Sequence, residues 1–205
     1  MCKILFEGFS LLIVFPFKNI MIVTFGGPPG SGKTAVAKLI SEKLMLPMFD
    51  IGGMRREAAI KKGMTIEEFN SWADKHHEEG DRYFDNFVKE SVLKKKKGLV
   101  IGRVAFYLFP ESLKIYLDVD VSVGAKRIFE KKEVDAKRFE ESASTLAEKI
   151  KNVEWRMDND DKRYHEIYGI HIFDKRNFDV VIDTSNKTLL EVTELVLSEI
   201  KKQKN

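Results

Sequence analysis

The sequence predicts an α/β protein built on a doubly wound, five-stranded parallel sheet with helices on both faces. Five short apolar runs alternate along the chain with longer segments whose apolar residues recur at helical spacing. Crossover helices then join parallel strands, and ligands bind at the carboxyl ends of the strands. A length of 205 residues, of which 43% are apolar, suits one well-buried domain and is too short for two large ones.

The first predicted strand, residues 22–25, runs directly into a glycine-rich loop and then into a predicted helix over 34–44. Such a loop points backbone N–H groups at phosphate oxygens, and the helix N-terminus adds positive charge. Lys33 would contact the β- and γ-phosphates, and the Thr34 hydroxyl would ligate Mg²⁺. The pattern G-x-x-x-x-G-K-T therefore predicts a P-loop NTPase-type fold. The residues predicted to bind a nucleoside triphosphate, which the family resemblance described below specifies as ATP, are Gly27, Pro28, Pro29, Gly30, Ser31, Gly32, Lys33, Thr34 and Ala35.

The remaining elements follow in order. A second strand is predicted at 47–51, and helices follow it, one opened by the capping box Thr65-x-x-Glu68 and one starting at Asp81. Strands are then predicted at 99–101 and 113–119, and Ser122 is expected to cap a helix over 123–131. The fifth strand covers 179–184, and Thr188-x-x-Glu191 caps the closing helix. The highly charged stretch 132–165 has little apolar surface, so it is expected to project from the body and to be mobile.

Composition limits the possible partners. A net charge of +3, from 35 basic and 32 acidic residues, gives no argument for nucleic-acid binding. The single Cys2 suits a reducing compartment, so a cytoplasmic location is expected, and the chain is expected to be a monomer. Residues 1–20 are predicted to form an extension outside the core. Glu7 and Pro16 interrupt its apolar run, which is too short to span a bilayer, so no membrane partner is expected.

Arginines at the ends of predicted strands indicate a second anion site. Arg56 follows the second strand, and Arg103 ends the third, where a guanidinium suits a phosphate. Arg156, Asp160 and Arg163 lie at i, i+4 and i+7, which places them on one helical face where they can converge on one ligand. A solvated ladder of ion pairs is the alternative interpretation of that face.

The chain resembles the nucleoside monophosphate kinases, and within them the archaeal type of cytidylate kinase. The resemblance covers residues 21 to about 200. It rests on five motifs: Gly26-Gly27-Pro28-Pro29-Gly30-Ser31-Gly32-Lys33-Thr34, Gly52-x-x-x-Arg56-Glu57, Gly63-Met64-Thr65-x-Glu67-Glu68-Phe69, Gly102-Arg103, and Arg156-x-x-x-Asp160-x-x-Arg163-Tyr164-x-Glu166-Ile167-Tyr168-Gly169-Ile170.

The resemblance implies an ATP- and Mg²⁺-dependent transfer of a phosphoryl group to CMP or dCMP, a step in pyrimidine nucleotide metabolism. It implies one domain over 21–205, with a helical monophosphate-binding insert at 52–92 and a helical lid at 130–165. Arg56 and Arg103 would bind the CMP phosphate, and Asp160 with Arg163 would hold its ribose or base side. The implied catalytic residues, which surround the transferring group with positive charge, are Lys33, Arg127, Lys131 and Arg156.

The chain departs from this family at three positions. Arg55 takes a place that is usually aromatic or apolar, Ile101 replaces an acidic residue before Gly-Arg, and Lys131 stands where a lid arginine is usual. Without an acid at 101, support for Mg²⁺ through water is expected from Asp118 or Asp50. Two alternatives stay open: a kinase for another acceptor such as UMP, AMP or a metabolite hydroxyl, and a nucleotide-binding regulator with weakened catalysis.

Overall fold

A five-stranded parallel sheet lies at the centre of the fold. The computed structural model describes residues 21–76, 79–131 and 143–203, so the predicted extension 1–20 lies outside the described residues. The strands are β1 (Met21–Gly26), β2 (Met48–Asp50), β3 (Lys97–Ile101), β4 (Leu113–Asp118) and β5 (Val180–Asp183). Their order is β2-β3-β1-β4-β5, and every neighbouring pair is parallel. The predicted fold class is confirmed.

Helices connect these strands and cover both faces of the sheet. They are α1 (Lys33–Leu44), α2 (Ile51–Lys61), α3 (Ile66–Lys75), α4 (Asp81–Lys95), α5 (Ala105–Leu108), α6 (Val121–Lys131), α7 (Leu146–Tyr168) and α8 (Leu189–Lys202), with a 3₁₀ turn at Lys175–Asn177. The short α5 was not predicted. Across the described ranges, none of the helices combines the length and the apolarity needed to cross a membrane.

The core forms two apolar layers because successive residues of a strand point to opposite faces. Val23 and Phe25 of β1 pack on the face covered by α1 and α8. Ile22 belongs to the opposite layer, which Phe69 of α3 and Val88 of α4 complete. The stretch predicted as a monophosphate-binding insert contains α3 and most of α2 and α4, so it shares this second layer. Its binding role stays a prediction.

Side-chain caps fix several helix starts. Both predicted capping boxes are present, with Thr65 and Glu68 at α3 and with Thr188 and Glu191 at α8. The prediction that Ser122 caps α6 is wrong. Oδ1 of Asp120 instead accepts the backbone N–H groups of Ser122, at 2.8 Å, and of Val123, at 3.3 Å, because the helix already begins at Val121.

Helix α7 packs along α6. It buries four side chains on one face: Lys149, Val153, Asp160 and Tyr164. The expectation that 132–165 projects from the body is therefore wrong for residues 146–165, because the charged face of α7 turns towards the cavity described below rather than towards solvent. Residues 132–142 lie outside the described residues. The mobility expected of this stretch stays a prediction.

Candidate functional site

A cavity of about 700 Å³ opens along the carboxyl edge of the sheet. Residues that follow β1, β2, β3 and β5 line it together with side chains of α6 and α7. Nearly all predicted site residues meet there: Gly27, Pro29, Gly30, Ser31, Gly32, Lys33, Thr34, Ala35, Arg56, Arg103, Arg127, Arg156, Asp160 and Arg163. Pro28 does not line the cavity, but its carbonyl oxygen accepts a hydrogen bond from Lys33 Nζ. The side chain of Lys131 lies outside the described part of the structure.

Glycines let the phosphate loop lie against neighbouring backbone. Gly27 and Gly30 have φ values of 126° and 77°, which residues with side chains rarely adopt. A Cβ atom added to Gly27 would lie 2.1 Å from the carbonyl oxygen of Leu117. One added to Gly30 would lie 2.3 Å from the carbonyl oxygen of Gly124. Gly124 of α6 in turn lies so close to the loop that a Cβ there would be 2.7 Å from the Pro29 oxygen. Gly124 was not predicted as part of the site, although an isolated glycine inside a helical pattern is a signal of close packing.

Lys33 is held by its own loop beside the cavity. Its Nζ donates to the carbonyl oxygens of Gly27 and Pro28, both at 2.7 Å, and lies 3.2 Å from Ser31 Oγ. Burial, followed by the positive charges of Arg103 and Arg156, lowers the pKa of Lys33 from 10.5 to about 7, and the nearby carboxylate of Asp50 partly opposes this shift. An anionic ligand here would favour the charged form of the lysine.

Asp50 lies where the loop meets the second strand. Thr34 Oγ1 donates to Asp50 Oδ2 at 3.3 Å, and Asp50 Oδ1 accepts the backbone N–H of Gly53 at 3.0 Å, capping α2. Arg56 lies 3.8 Å from the same carboxylate. In the register of the sheet Asp50 pairs with Ile101, so a carboxylate stands one strand away from the position where the family resemblance places an acid.

The other candidate for metal support, Asp118, is bound by Lys175 Nζ at 2.5 Å and does not line the cavity. Within the described ranges no group of three or more His, Cys, Asp or Glu side chains could hold a metal ion. Mg²⁺ usually binds through one or two protein oxygens together with substrate phosphates and water. The paired oxygens of Thr34 and Asp50 fit that requirement.

Three arginines surround Asp160. Arg103 from the end of β3 forms an ion pair with Asp160 Oδ2, Arg156 Nε lies 3.7 Å from the same oxygen, and Arg163 Nη2 lies 3.4 Å from Oδ1. Burial alone would raise the pKa of Asp160, but these guanidiniums outweigh it and lower the pKa, so the carboxylate is ionised at neutral pH. The side chains are only 10 to 28% exposed and line the cavity, unlike a solvated ladder.

Arg127 ties α6 to the loop after β5. Its guanidinium donates to the Thr184 carbonyl oxygen at 2.6 Å and its hydroxyl oxygen at 3.2 Å, and lies 3.4 Å from the Gly30 oxygen. Buried Thr184 was not predicted as part of the site, and its hydroxyl donates to the Asp118 carbonyl oxygen at 2.8 Å. Arg127 thus lies on the β5 side of the phosphate loop. Its predicted catalytic role stays a prediction.

Two further polar side chains line the cavity without having been predicted there. Asn70 of α3 accepts a hydrogen bond from Arg55 Nη2 at 2.7 Å, and Lys149 of α7 is 1% exposed. Nothing in the sequence marks either one, because both sit in helices among many similar polar residues.

Most of the chain matches a known protein family. Residues 22–186 match the model of the cytidylate kinase-like family. The chain belongs to the cytidylate kinase-like family. It is similar to a cytidylate kinase from Archaeoglobus fulgidus, with 32% identity covering 90% of this chain and 97% of that protein. It is also similar to one from Methanocaldococcus jannaschii, with 33% identity covering 88% and 97%. This family member is therefore an enzyme, a phosphotransferase of the nucleoside monophosphate kinase class.

Solved structures show the same fold. An uncharacterized protein from Eubacterium ventriosum aligns with a TM-score of 0.62 and 19% identity over 88% of this chain and 98% of that one. Shikimate kinase from Acinetobacter baumannii aligns with a TM-score of 0.56 and 18% identity over 90% and 95%. At such identities the likeness concerns the fold alone.

The lowered pKa of Lys33 predicts a pH dependence of stability in this kinase. Between pH 7 and the ordinary lysine pKa of 10.5, the unfolded chain binds more protons at this site than the folded chain, so the free energy of unfolding rises with pH. We expect the wild type to gain stability relative to Lys33→Met from about pH 7 to about pH 10. Urea unfolding without nucleotide or phosphate, in EDTA, measures this. Lys38→Met, at an exposed position of α1, is the control and should show the same pH dependence as the wild type. If the free energies of unfolding of Lys33→Met and the wild type changed in parallel with pH, the expectation would be contradicted.

Replacing Asp160 should destabilise the free enzyme. Asp160→Asn keeps the size of the side chain but leaves three partly buried guanidiniums without their shared counter-charge, so we expect unfolding to become easier by about 1 to 3 kcal/mol. Thermal melting with and without inorganic sulfate tests this, because sulfate should stabilise the variant more than the wild type. Asp158→Asn, at an exposed position of the same helix, should change neither the melting temperature nor the stabilisation by sulfate.

Proposed function

We propose that this enzyme transfers the γ-phosphoryl group of ATP to CMP or dCMP, giving ADP and CDP or dCDP. The arginine group around Asp160 carries the proposal, since it forms a second cationic site in the same cavity as the phosphate loop. Two phosphate-binding groups in one cavity suit a reaction between two nucleotides. The names of the relatives from Archaeoglobus fulgidus and Methanocaldococcus jannaschii support CMP as the acceptor.

The donor would lie along the phosphate loop. In this proposal residues 27–35 bind the ATP phosphates, and Lys33 exchanges its carbonyl partners for β- and γ-phosphate oxygens. Thr34 and Asp50 would hold Mg²⁺, which when bound offsets the charge of the phosphates. The β5 side of the cavity, with Arg127, Thr184 and Leu189, is left for the donor nucleoside.

The acceptor would lie on the β2 side. Arg56 and Arg103 are proposed to bind the CMP phosphate, and Asp160 with Arg163 to hold the ribose. An acceptor phosphate would compete with Asp160 for Arg103, and the released carboxylate could then accept a ribose hydroxyl. Binding the second substrate would therefore rearrange an ion-pair group that already exists.

The proposed chemistry needs positioning and positive charge rather than a covalent intermediate or a protein base. Phosphoryl transfer requires the attacking and leaving oxygens to lie in line, with cations around the migrating group. Lys33 and Arg156 would supply that charge, since Arg156 is close enough to Lys33 to lower its pKa. Residues 52–92 are proposed as the monophosphate-binding insert and 130–165, with Lys131, as a lid that excludes water.

We further propose that the enzyme works as a monomer in the cytoplasm. The single cysteine in 205 residues suits a reducing compartment. The proposed role of Asp50 towards Mg²⁺ is supported by its place beside Ile101 in the sheet and by its hydrogen bond with Thr34.

A panel of acceptors tests the proposed reaction. Purified enzyme with ATP and Mg²⁺ is assayed with CMP, dCMP, UMP, AMP and no acceptor. We expect ADP release that depends on CMP or dCMP, and a loss of kcat of at least ~100-fold in Lys33→Ala, because a phosphate clamp is removed from an electrostatic mechanism. Turnover confined to AMP, or unaffected by Lys33→Ala, would contradict the proposal.

Asp50 and Asp118 make a matched pair of variants. Asp50→Asn should lower kcat by about 10- to 100-fold and raise the Mg²⁺ concentration needed for half-maximal rate, because a neutral amide is a poorer partner for the ion. Asparagine caps a helix as well as aspartate, so α2 should stay intact. Steady-state rates over a Mg²⁺ titration measure the effect. Asp118→Asn should behave as the wild type, and equal losses in both variants would exclude a special role for Asp50.

A further inference from the structure

Arg55 and Asn70 form a polar contact in the wall of the cavity. Arg55 of α2 is 6% exposed, and its guanidinium carbon lies 5.6 Å from the ring centroid of Phe69. From there Nη2 donates to Oδ1 of Asn70 on α3 at 2.7 Å. A buried guanidinium next to a buried ring is a costly arrangement unless its donors are used, so this hydrogen bond fixes the position of both polar groups.

This contact lies at the acceptor end of the cavity. Arg55, Asn70 and Ile66 all line the cavity, and Ile66 and Asn70 lie one helical turn apart on α3. The helix α2 that carries Arg55 starts directly after β2, at the edge of the sheet opposite to β5. An apolar side chain beside two polar ones suits a flat heterocycle, which has apolar faces and a polar edge.

The hydrogen bond fixes which way the Asn70 amide points. A guanidinium has only donors, so the amide oxygen must face Arg55 and the NH₂ group must face away. An asparagine that can rotate freely offers a base either arrangement of donor and acceptor. Here rotation would place NH₂ against the guanidinium, and two donors would meet.

The fixed amide distinguishes the two common pyrimidines. The central atom of the pairing edge, N3, is an acceptor in cytosine and carries a hydrogen in uracil. With the oxygen of Asn70 held by Arg55, its NH₂ group can donate to N3 of cytosine, while the second lone pair of Oδ1 accepts from the exocyclic amine. In uracil the N3–H would face the same NH₂ group, leaving two donors opposed.

We propose that Asn70 binds the pairing edge of the acceptor base and that Arg55, by orienting the Asn70 amide, makes the site select cytosine over uracil. The proposal deepens the proposed function and rests on it. Asn70 is the binding residue, and Arg55 is a positioning residue that acts through it. This gives a role to an arginine at a position where the family resemblance places an aromatic or apolar side chain.

Two variants test the proposal by the ratio of kcat/KM for CMP to that for UMP. Asn70→Asp keeps an oxygen towards Arg55 but replaces the outward donor by an acceptor, which accepts from uracil N3–H. We expect the ratio to fall by at least about 10-fold, with UMP turnover rising in absolute terms. Arg55→Met keeps an unbranched side chain against Phe69 but frees the amide, so the ratio should also fall by about 10-fold. The KM for ATP should stay unchanged in both variants. The kcat/KM for dCMP should change in the same direction as that for CMP.

Controls separate this proposal from the proposed function. Arg176→Met makes the same substitution at an arginine that is 90% exposed and should leave the ratio unchanged. Melting temperatures show whether Arg55→Met folds, and Asn70→Asp, an isosteric change, carries the test if it does not. CMP and UMP binding is measured by calorimetry alongside the rates, so base preference is determined even without turnover. A wild type inactive on CMP would overturn the proposed function, whereas CMP turnover with an unchanged ratio in Asn70→Asp would overturn the role of Asn70 and Arg55 alone.

Discussion

Like-charge repulsion is the constraint on which the arrangement of the cavity depends. Lys33, Arg103 and Arg156 are brought close enough for their charges to affect one another, and burial strengthens their repulsion. Asp160 holds the three arginines in place before any ligand binds. Lys33, by contrast, donates to neutral oxygens, and burial together with the charges of Arg103 and Arg156 lowers its pKa. In the ligand-free fold, one carboxylate thus offsets the charge of three converging guanidiniums.

The sequence was sufficient for the features that depend on local chemistry. The phosphate loop, the parallel sheet and the capping boxes at Thr65 and Thr188 each follow from a short run of residues, and the structure has them where they were expected. The spacing of Arg156, Asp160 and Arg163 likewise placed them on one face of a helix, and they meet in the structure. For these groups the periodicity of the helix decides which side chains can touch.

The features that the sequence did not predict depend on which elements become neighbours. A count of charges suggested a solvated α7, yet one face of this helix lines the cavity, where Asp160 pairs with Arg103 and with Arg156 and Arg163 of the helix itself. Asp50 lies beside Ile101 because of the register between β2 and β3, which no residue near Ile101 encodes. Asn70 and Arg55 stand 15 residues apart on two helices, so their hydrogen bond appears only once α2 and α3 pack together.

The close packing of Gly124 against the phosphate loop has a mechanical consequence. Backbone meets backbone at this point without a side chain between, and Arg127, one turn further along α6, is anchored to Thr184 and Gly30. Interiors packed this tightly transmit displacement rather than absorb it. We therefore expect the first turns of α6 and the loop to keep their relative position when the protein moves. In the proposed mechanism, a lid hinged beyond Arg127 would leave the phosphate loop undisturbed.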